Sequence, residues 1–225
     1  MALTAGDSLS ITGELPELAA VPWRARADER ALRRADRLWT LSAIAHELPF
    51  LATAVALPLL NPVLLPVSVF ALAFAWAIPE LYAARGAVAL RAARRTGTSP
   101  AAERRALGLL GDLVNHEARQ LLAATGMVME RGRFGVWLVA PAGALLVRPG
   151  GRRVQCYCVR VPDEALAPSD HVAHLLLALR ADECGFATIA NLSFSGAAWR
   201  LRRRLAPAAR AGLTAATAAA RTYDS

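Results

Sequence analysis

The sequence predicts a membrane α-helical hairpin of two transmembrane helices carrying a small cytosolic α+β domain. Three observations predict it. The 225-residue chain holds a charge-free run of 31 residues, Leu48–Ile78, interrupted near its middle by the turn signal Asn61-Pro62. Arginine collects on both sides of that run and is missing from its middle. Downstream, helix-period and strand-length apolar runs alternate over about 120 residues, enough chain for a core of its own.

Composition sets the class. Mean hydropathy is +0.33 and 55% of residues are hydrophobic, which is too apolar for a disordered chain. All 26 basic residues are Arg, there is no Lys, and Ala occurs 50 times. A high-GC bacterial genome gives such a composition, so it says little about mechanism. Cys156, Cys158 and Cys184 are too few for a disulfide framework and fit a reducing compartment.

The first twenty residues contain three acids and no base, so no secretory signal is expected there. Residues 22–38 carry six Arg and three acids, with Trp23, Leu32, Ala35 and Leu38 at rough helical spacing. They predict a basic helix, interfacial or solvated, within a cytosolic tail spanning 1–38. A membrane span needs about 20 residues, so the apolar run is long for one and short for two. Extending it outward gives Trp39–Leu60 and Pro62–Tyr82, a hairpin over 39–83. Trp39 and Tyr82 then share one interface, as an aromatic belt does. Pro49, Pro58, Pro66 and Pro79 read as kinks in packed membrane helices. Six Arg lie in 22–37, six more in 85–105 and none near Asn61. The positive-inside rule therefore puts both termini in the cytoplasm of a multi-pass protein of the bacterial inner membrane.

Residues 84–105 read as a basic connector ending at the Gly97–Pro100 breaker, and 106–225 as the α+β domain. Leu107, Leu110, Val114, Ala118 and Leu121 make the stripe of one amphipathic helix. Strands follow at FGVWLVA (134–140), GALLVR (143–148) and RRVQCYCVRV (152–161), the last two joined by Pro149-Gly150-Gly151. A helix opening at Pro168 or Ser169 presents Val172, Leu175, Leu176 and Leu179 on one face. GFATIANLSF (185–194) reads as a fourth strand and 197–221 as a final Ala-rich helix, giving the order α-β-β-β-α-β-α. Charge divides unevenly: six Arg oppose eight acids in 1–83, and twenty oppose ten in 84–225. Residues 100–225 are expected to fold without the spans.

Several groups are candidates for chemistry. His46, Glu47, Trp76 and Glu80 fall within or beside the spans, where ionisable groups are costly and face partners. In an antiparallel hairpin Glu47 is level with Trp76 and His46 lies within a turn of Glu80, an intramembrane polar pair or a set at headgroup level. Two helices would need a homo-oligomer to enclose a path. Asp112, His116 and Arg119, at i, i+4 and i+7, share a helical face that could orient a base or be a surface pairing. Cys156 and Cys158 point to the same side of a strand, and with His171, His174 and Cys184 they are either a mixed zinc set or buried small hydrophobes. The spacings lack the C-x-x-C pairs of a strong zinc signal, so no metal or cofactor is expected. Arg200, Arg202, Arg203, Arg204 and Arg210 cluster beside Trp199, a pattern that meets phosphates of anionic lipid or nucleic acid, or only water.

The element order over 106–194 resembles the core of the restriction-endonuclease-like nucleases. That family needs an acid on the second core strand and an acid-x-Lys on the third. Here GALLVR has no acid, RRVQCYCVRV offers Gln155, and Lys is missing altogether, so catalysis is not expected. No Gly-rich phosphate loop, G-x-S-x-G or H-E-x-x-H occurs. The expected function is non-enzymatic: a membrane protein displaying a basic cytosolic domain for protein interaction, scaffolding or regulation, its partners being anionic lipid and an unidentified protein. The alternatives are a membrane-tethered nucleic-acid-binding protein and a Cys/His-dependent metal site or enzyme.

Overall fold

The computed structural model describes residues 26–90, 99–159 and 166–222. The acidic first twenty residues, Trp23 and the centre of the expected connector, 91–98, lie outside the described residues, as do 160–161 of the third expected strand. Two long apolar helices and a five-stranded antiparallel sheet flanked by shorter helices make up the fold.

Helix α1 (Glu29–Leu60) runs unbroken for 32 residues, so the basic segment and the first apolar span are one element. Its start is fixed by Asp28, whose carboxylate accepts the Ala31 N–H at 2.6 Å, an N-cap that satisfies one orphan donor. It ends where the sequence places the turn. The Asn61 side chain accepts the Val63 N–H at 3.0 Å and opens a 3₁₀ turn, Pro62–Leu64, that leads into α2 (Leu65–Ala87). Pro66 sits in the first turn of α2, where its missing N–H costs no hydrogen bond. A second 3₁₀ turn, Val88–Leu90, buries Ala89 and Leu90 against the sheet.

The next expected helix is two. α3 (Pro100–Leu113) stops at Val114, and Asn115 caps α4 (His116–Thr125) by accepting the Ala118 N–H at 2.8 Å. Four strands then form a meander: β1 (Val128–Gly132), β2 (Gly135–Ala140), β3 (Gly143–Val147) and β4 (Arg153–Cys158). Strand β1 is a correction to the sequence reading. It carries Glu130 and Arg131 and is an edge strand, where charges suit the exposed side. Every residue of β2 and β3 is buried, because helices cover both faces of the sheet, which is why these strands read as continuous apolar runs.

After β4 come α5 (Pro168–Ala181) and α6 (Glu183–Ile189), then β5 (Asn191–Ala197) antiparallel to β4. The expected strand at 185–194 is thus half helix. Asp182 accepts the Gly185 N–H at 2.9 Å and starts α6, and the strand begins after it. The expected final helix is likewise split into α7 (Ala198–Arg204) and α8 (Pro207–Arg221), because Pro207 holds Ala206 extended. With four meander strands ahead of the α5–α6 pair, the nuclease-like element order does not hold.

Alternation along β2, β3 and β4 sends Trp137, Val139, Leu146 and Tyr157 into one core, under α3–α6, and Val136, Leu138, Leu145 and Cys156 into another. The second core is closed by Ala83, Ala87, Ala89 and Leu90 from the end of the hairpin, with Leu201 of α7 and Leu213 of α8. Leu32 of α1 enters the first core. The base of the hairpin therefore straddles β5 and covers that sheet edge. At the closest approach only Gly fits: a Cβ on Gly86 would stand 2.4 Å from the Phe194 Cβ.

Candidate functional site

Of the polar residues singled out in the sequence, the junction between hairpin and sheet gathers His46, Glu47, Glu80, Arg200 and Arg204, and adds docking pairs that the sequence did not mark. Acids of the basic segment dock it to arginines of the sheet. Asp36 receives Arg153 at 2.6 Å and the Ser195 hydroxyl at 2.7 Å, and Arg153 also reaches Thr40 at 2.8 Å. Glu29 pairs with Arg148, and Arg26 reaches Asp182 at 3.3 Å. Buried donors join in: Gln155 donates to the Leu32 carbonyl at 3.2 Å and the Ala27 N–H to Thr188 at 2.7 Å. The Arg residues at 30, 33, 34 and 37 stay exposed on the opposite side of α1.

Above this dock lies an aromatic layer. Trp39 and Tyr82 meet edge-to-face at 6.0 Å, Phe194 of β5 joins Trp39 at 6.5 Å, and the His46 ring stands 6.3 Å from Tyr82. The His46 Nδ1–H donates to the Ser42 carbonyl at 2.6 Å. Glu47 and Glu80 both have arginine partners. Each turns to α7: Arg204 holds the buried Glu80 carboxylate at 2.7 Å, and Arg200 lies 4.0 Å from Glu47. Trp76 points outward, exposed. The partners that α7 supplies lie more than 100 residues downstream in sequence, beyond what the hairpin alone could suggest.

Helix α7 thus presents three faces. Leu201 is buried in the second core, while Arg200 and Arg204 turn to hairpin acids. Trp199 is 53% exposed and carries the Arg200 and Arg203 guanidinium groups over its ring at 5.4 and 5.0 Å. Such stacking orders a cation beside an aromatic face and leaves its N–H groups outward. Arg202 shares the outer side and no ion pair engages it or Arg203 among the described residues. Arg210 stands apart from the cluster: it donates to the Leu205 carbonyl at 2.8 Å and holds the α7–α8 corner. A cavity of about 250 Å³ opens between α1, α2, β5 and α7, walled by Trp39, Tyr82, Phe194 and Trp199 and edged by Glu47 and Arg200.

The Cys/His set is dispersed by the sheet. Cys156 and Cys158 share a face, as strand geometry requires, and pack in the second core, whereas Cys184 packs at the first. His171 has a buried Nε2 without a hydrogen-bond partner among the described residues, and His174 is exposed. No group of three His, Cys, Asp or Glu comes together there. Burial, with Cys158 beside it, pushes the Cys156 thiol well above its ordinary range, opposite to what a nucleophile needs. The Asp112, His116 and Arg119 face is broken by the α3–α4 corner. Arg119 instead donates to the Gly111 carbonyl at 2.6 Å, and His116 contacts Gln120.

Sequence reasoning missed two groups. Glu183 cradles the β1–β2 turn, accepting from Trp137 Nε1 at 2.6 Å and from the Phe134 N–H at 3.0 Å. Arg152 of the β3–β4 turn and Arg221 at the end of α8 line one groove with Arg202. No family model, curated protein or solved structure matches this chain.

Proposed function

We propose that the chain is a non-enzymatic inner-membrane protein. The α1–α2 hairpin anchors it, and the sheet domain stands on the cytoplasmic side as a platform for protein interaction, scaffolding or regulation. One observation carries the reading: the hairpin's apolar side chains are uncovered. Leu59 is 82% exposed, Leu60 and Val63 80%, and Phe70 68%. Contiguous apolar surface on this scale is a liability in water and a match for hydrocarbon. Both helices are long and apolar enough to cross a membrane. Twenty-two residues from Trp39 to Leu60 rise about 33 Å, against a hydrocarbon core of about 30 Å.

The base of the hairpin supports the orientation. Its aromatic layer, its neutralised acids and the outward Trp199, Arg202 and Arg203 collect at one end, and the tip at Asn61 carries no charge. Guanidinium groups there meet lipid phosphates, each worth about 1 kcal/mol near an anionic surface.

The test is made on the full chain in bacterial membranes. The protein is expected to stay in the pellet after alkaline carbonate extraction, and reporters fused after residues 20 and 225 are both expected to read cytoplasm. Release by carbonate, or a periplasmic reading at either end, would end the hairpin model. Full-length protein in neutral-lipid nanodiscs that binds duplex DNA in a salt-dependent way would move the nucleic-acid reading into first place.

A further inference from the structure

We infer that the groove between the β3–β4 turn, α7 and α8 is a binding site for an organic phosphate. This goes beyond the anchor reading and does not depend on it, since the groove is built wholly from the sheet domain. Gly150 and Gly151 take left-handed φ values of +80° and +70°, which a side chain would resist. The Gly150 N–H donates to the Ala220 carbonyl at 3.0 Å, and a Cβ on Gly151 would stand 2.8 Å from the Thr217 carbonyl oxygen. Two glycines thus let the turn press directly on α8. The Ala198 N–H donates to the Arg152 carbonyl at 3.0 Å and ties the start of α7 to the same turn. Three elements are locked together, and each brings arginine to the space between them.

That space measures about 690 Å³ and is lined by Arg152, Arg153, Arg202 and Arg221 with Thr214 and Thr217. Among the described residues no carboxylate lines it. Arg153 is neutralised by Asp36, but Arg152, Arg202 and Arg221 have no ion pair among the described residues. Three like charges around one groove set up a positive potential that draws an anion. Guanidinium is planar, always charged and matched to phosphate oxygens two at a time, so phosphate is the chemistry this lining recognises. Leu213, Ala197 and Ala218 add an apolar wall. The volume far exceeds one phosphate and falls within the roughly 300–1,000 Å³ of small-ligand sites, so the ligand has an organic part. Two sources carry that chemistry, a soluble organic phosphate and the headgroup of an anionic lipid.

The experiment uses the full-length protein in a nonionic detergent at low ionic strength, titrated calorimetrically with three probes: inorganic pyrophosphate, dihexanoyl phosphatidic acid and dihexanoyl phosphatidylcholine. Saturable binding of pyrophosphate without phosphatidic acid identifies a soluble ligand. Saturation by phosphatidic acid, displaced by pyrophosphate and not reproduced by phosphatidylcholine, identifies a headgroup. In either case the Arg152→Gln/Arg202→Gln protein is expected to bind at least about tenfold more weakly, the loss of roughly one charged bidentate contact or more. Arg221→Gln, a single exposed change at the end of α8, is expected to weaken binding less and guards against misfolding of the double variant. Arg104→Gln/Arg105→Gln removes the same charge from α3, away from the groove, and is expected to change affinity by no more than about twofold. Failure of both phosphates to saturate overturns the inference. So does an equal loss in the α3 variant, which would mark diffuse charge in place of a site.

Discussion

The sheet and the hairpin are the two most apolar parts of the chain, and they differ in what covers them. Trp137, Leu138, Leu145 and Leu146 are fully buried by the chain's own helices, whereas Leu59, Leu60 and Val63 are 80% or more exposed. Hydropathy is blind to this difference; contacts reveal it. The boundary between the two regimes runs through α1. Up to Thr40 the helix is docked by Glu29, Asp36 and Thr40, each with a defined partner on the sheet. From Leu48 onward it has no charged side chain at all. The same contrast recurs in miniature on α7, where Arg204 holds a buried acid and Arg202 lines an open groove.

The sharpest way to break the comparison is to cut the chain between its regions. A fragment of residues 100–225 loses Leu32 from one core and Ala83, Ala87, Ala89 and Leu90 from the other, and it bares the β5 edge. Such a fragment, against the expectation from sequence that it folds alone, is expected to lack a cooperative thermal transition by near-ultraviolet circular dichroism, while a chain starting at residue 26 keeps one. A sharp transition in the fragment would show that the hairpin base is decoration. The next largest effect sets one truncation against another. Trp137→Ala empties a fully buried site and removes one of the donors to Glu183, at a cost of about 3–5 kcal/mol. Phe70→Ala, at an uncovered position, is expected to change the unfolding midpoint of the sheet domain by less than about 0.5 kcal/mol equivalent.

The legibility of the molecule follows the same divide. The hairpin helices, strands β2–β4 and helix α5 were readable because each is an apolar run or stripe longer than any competing signal, and the Asn61-Pro62 turn because it interrupts such a run. Strand β1 was not, since Val128 is its single fully buried residue and Glu130 and Arg131 give it a polar face. The Asn115 and Asp182 caps and Pro207 were local signals present in the sequence but outweighed by the apolar stripes around them. The candidate site was half readable. Sequence clustering found Arg200–Arg204, but which of them is neutralised depends on Glu47 and Glu80, and the groove needs Arg152 and Arg221 from distant elements.

The arginine contrast gives a smaller effect. Arg204→Gln leaves the Glu80 carboxylate buried without its cation. Because Arg204 itself is 40% exposed, the usual penalty for breaking a buried pair is discounted to about 1–3 kcal/mol. Arg202→Gln removes equal charge from an unpaired position and is expected to stay within about 0.5 kcal/mol. Denaturant unfolding of both variants in the same detergent checks this. Equal destabilisation would mean that the Glu80 pair does not couple α7 to the hairpin.

The last prediction uses pH to separate the two apolar regions. Burial raises the Cys156 thiol well above its ordinary value near 9, and Cys158 beside it pushes the same way. Burial likewise raises the Tyr157 phenol above its ordinary value of 10; Arg148 opposes the shift and Cys156 adds to it. Both groups stay protonated in the folded sheet at pH values where the unfolded chain has lost those protons. The unfolded state then binds fewer protons, so stability falls as pH rises past about 9, by on the order of 1 kcal/mol per pH unit for each group. Below that pH both groups are protonated in either state and contribute no slope. Between Leu48 and Ile78 the hairpin has no titratable side chain, so its helices are expected to be indifferent over the same range. Raising the pH from 8 to 11 in detergent should therefore erase the near-ultraviolet signal of the sheet's aromatic core while much of the far-ultraviolet helical signal persists. Tyr157→Phe removes one of the two groups and is expected to shift that loss to higher pH. Simultaneous loss of both signals would show that sheet and hairpin melt as one unit, with the docking pairs around Asp36 strong enough to carry the transition across the junction.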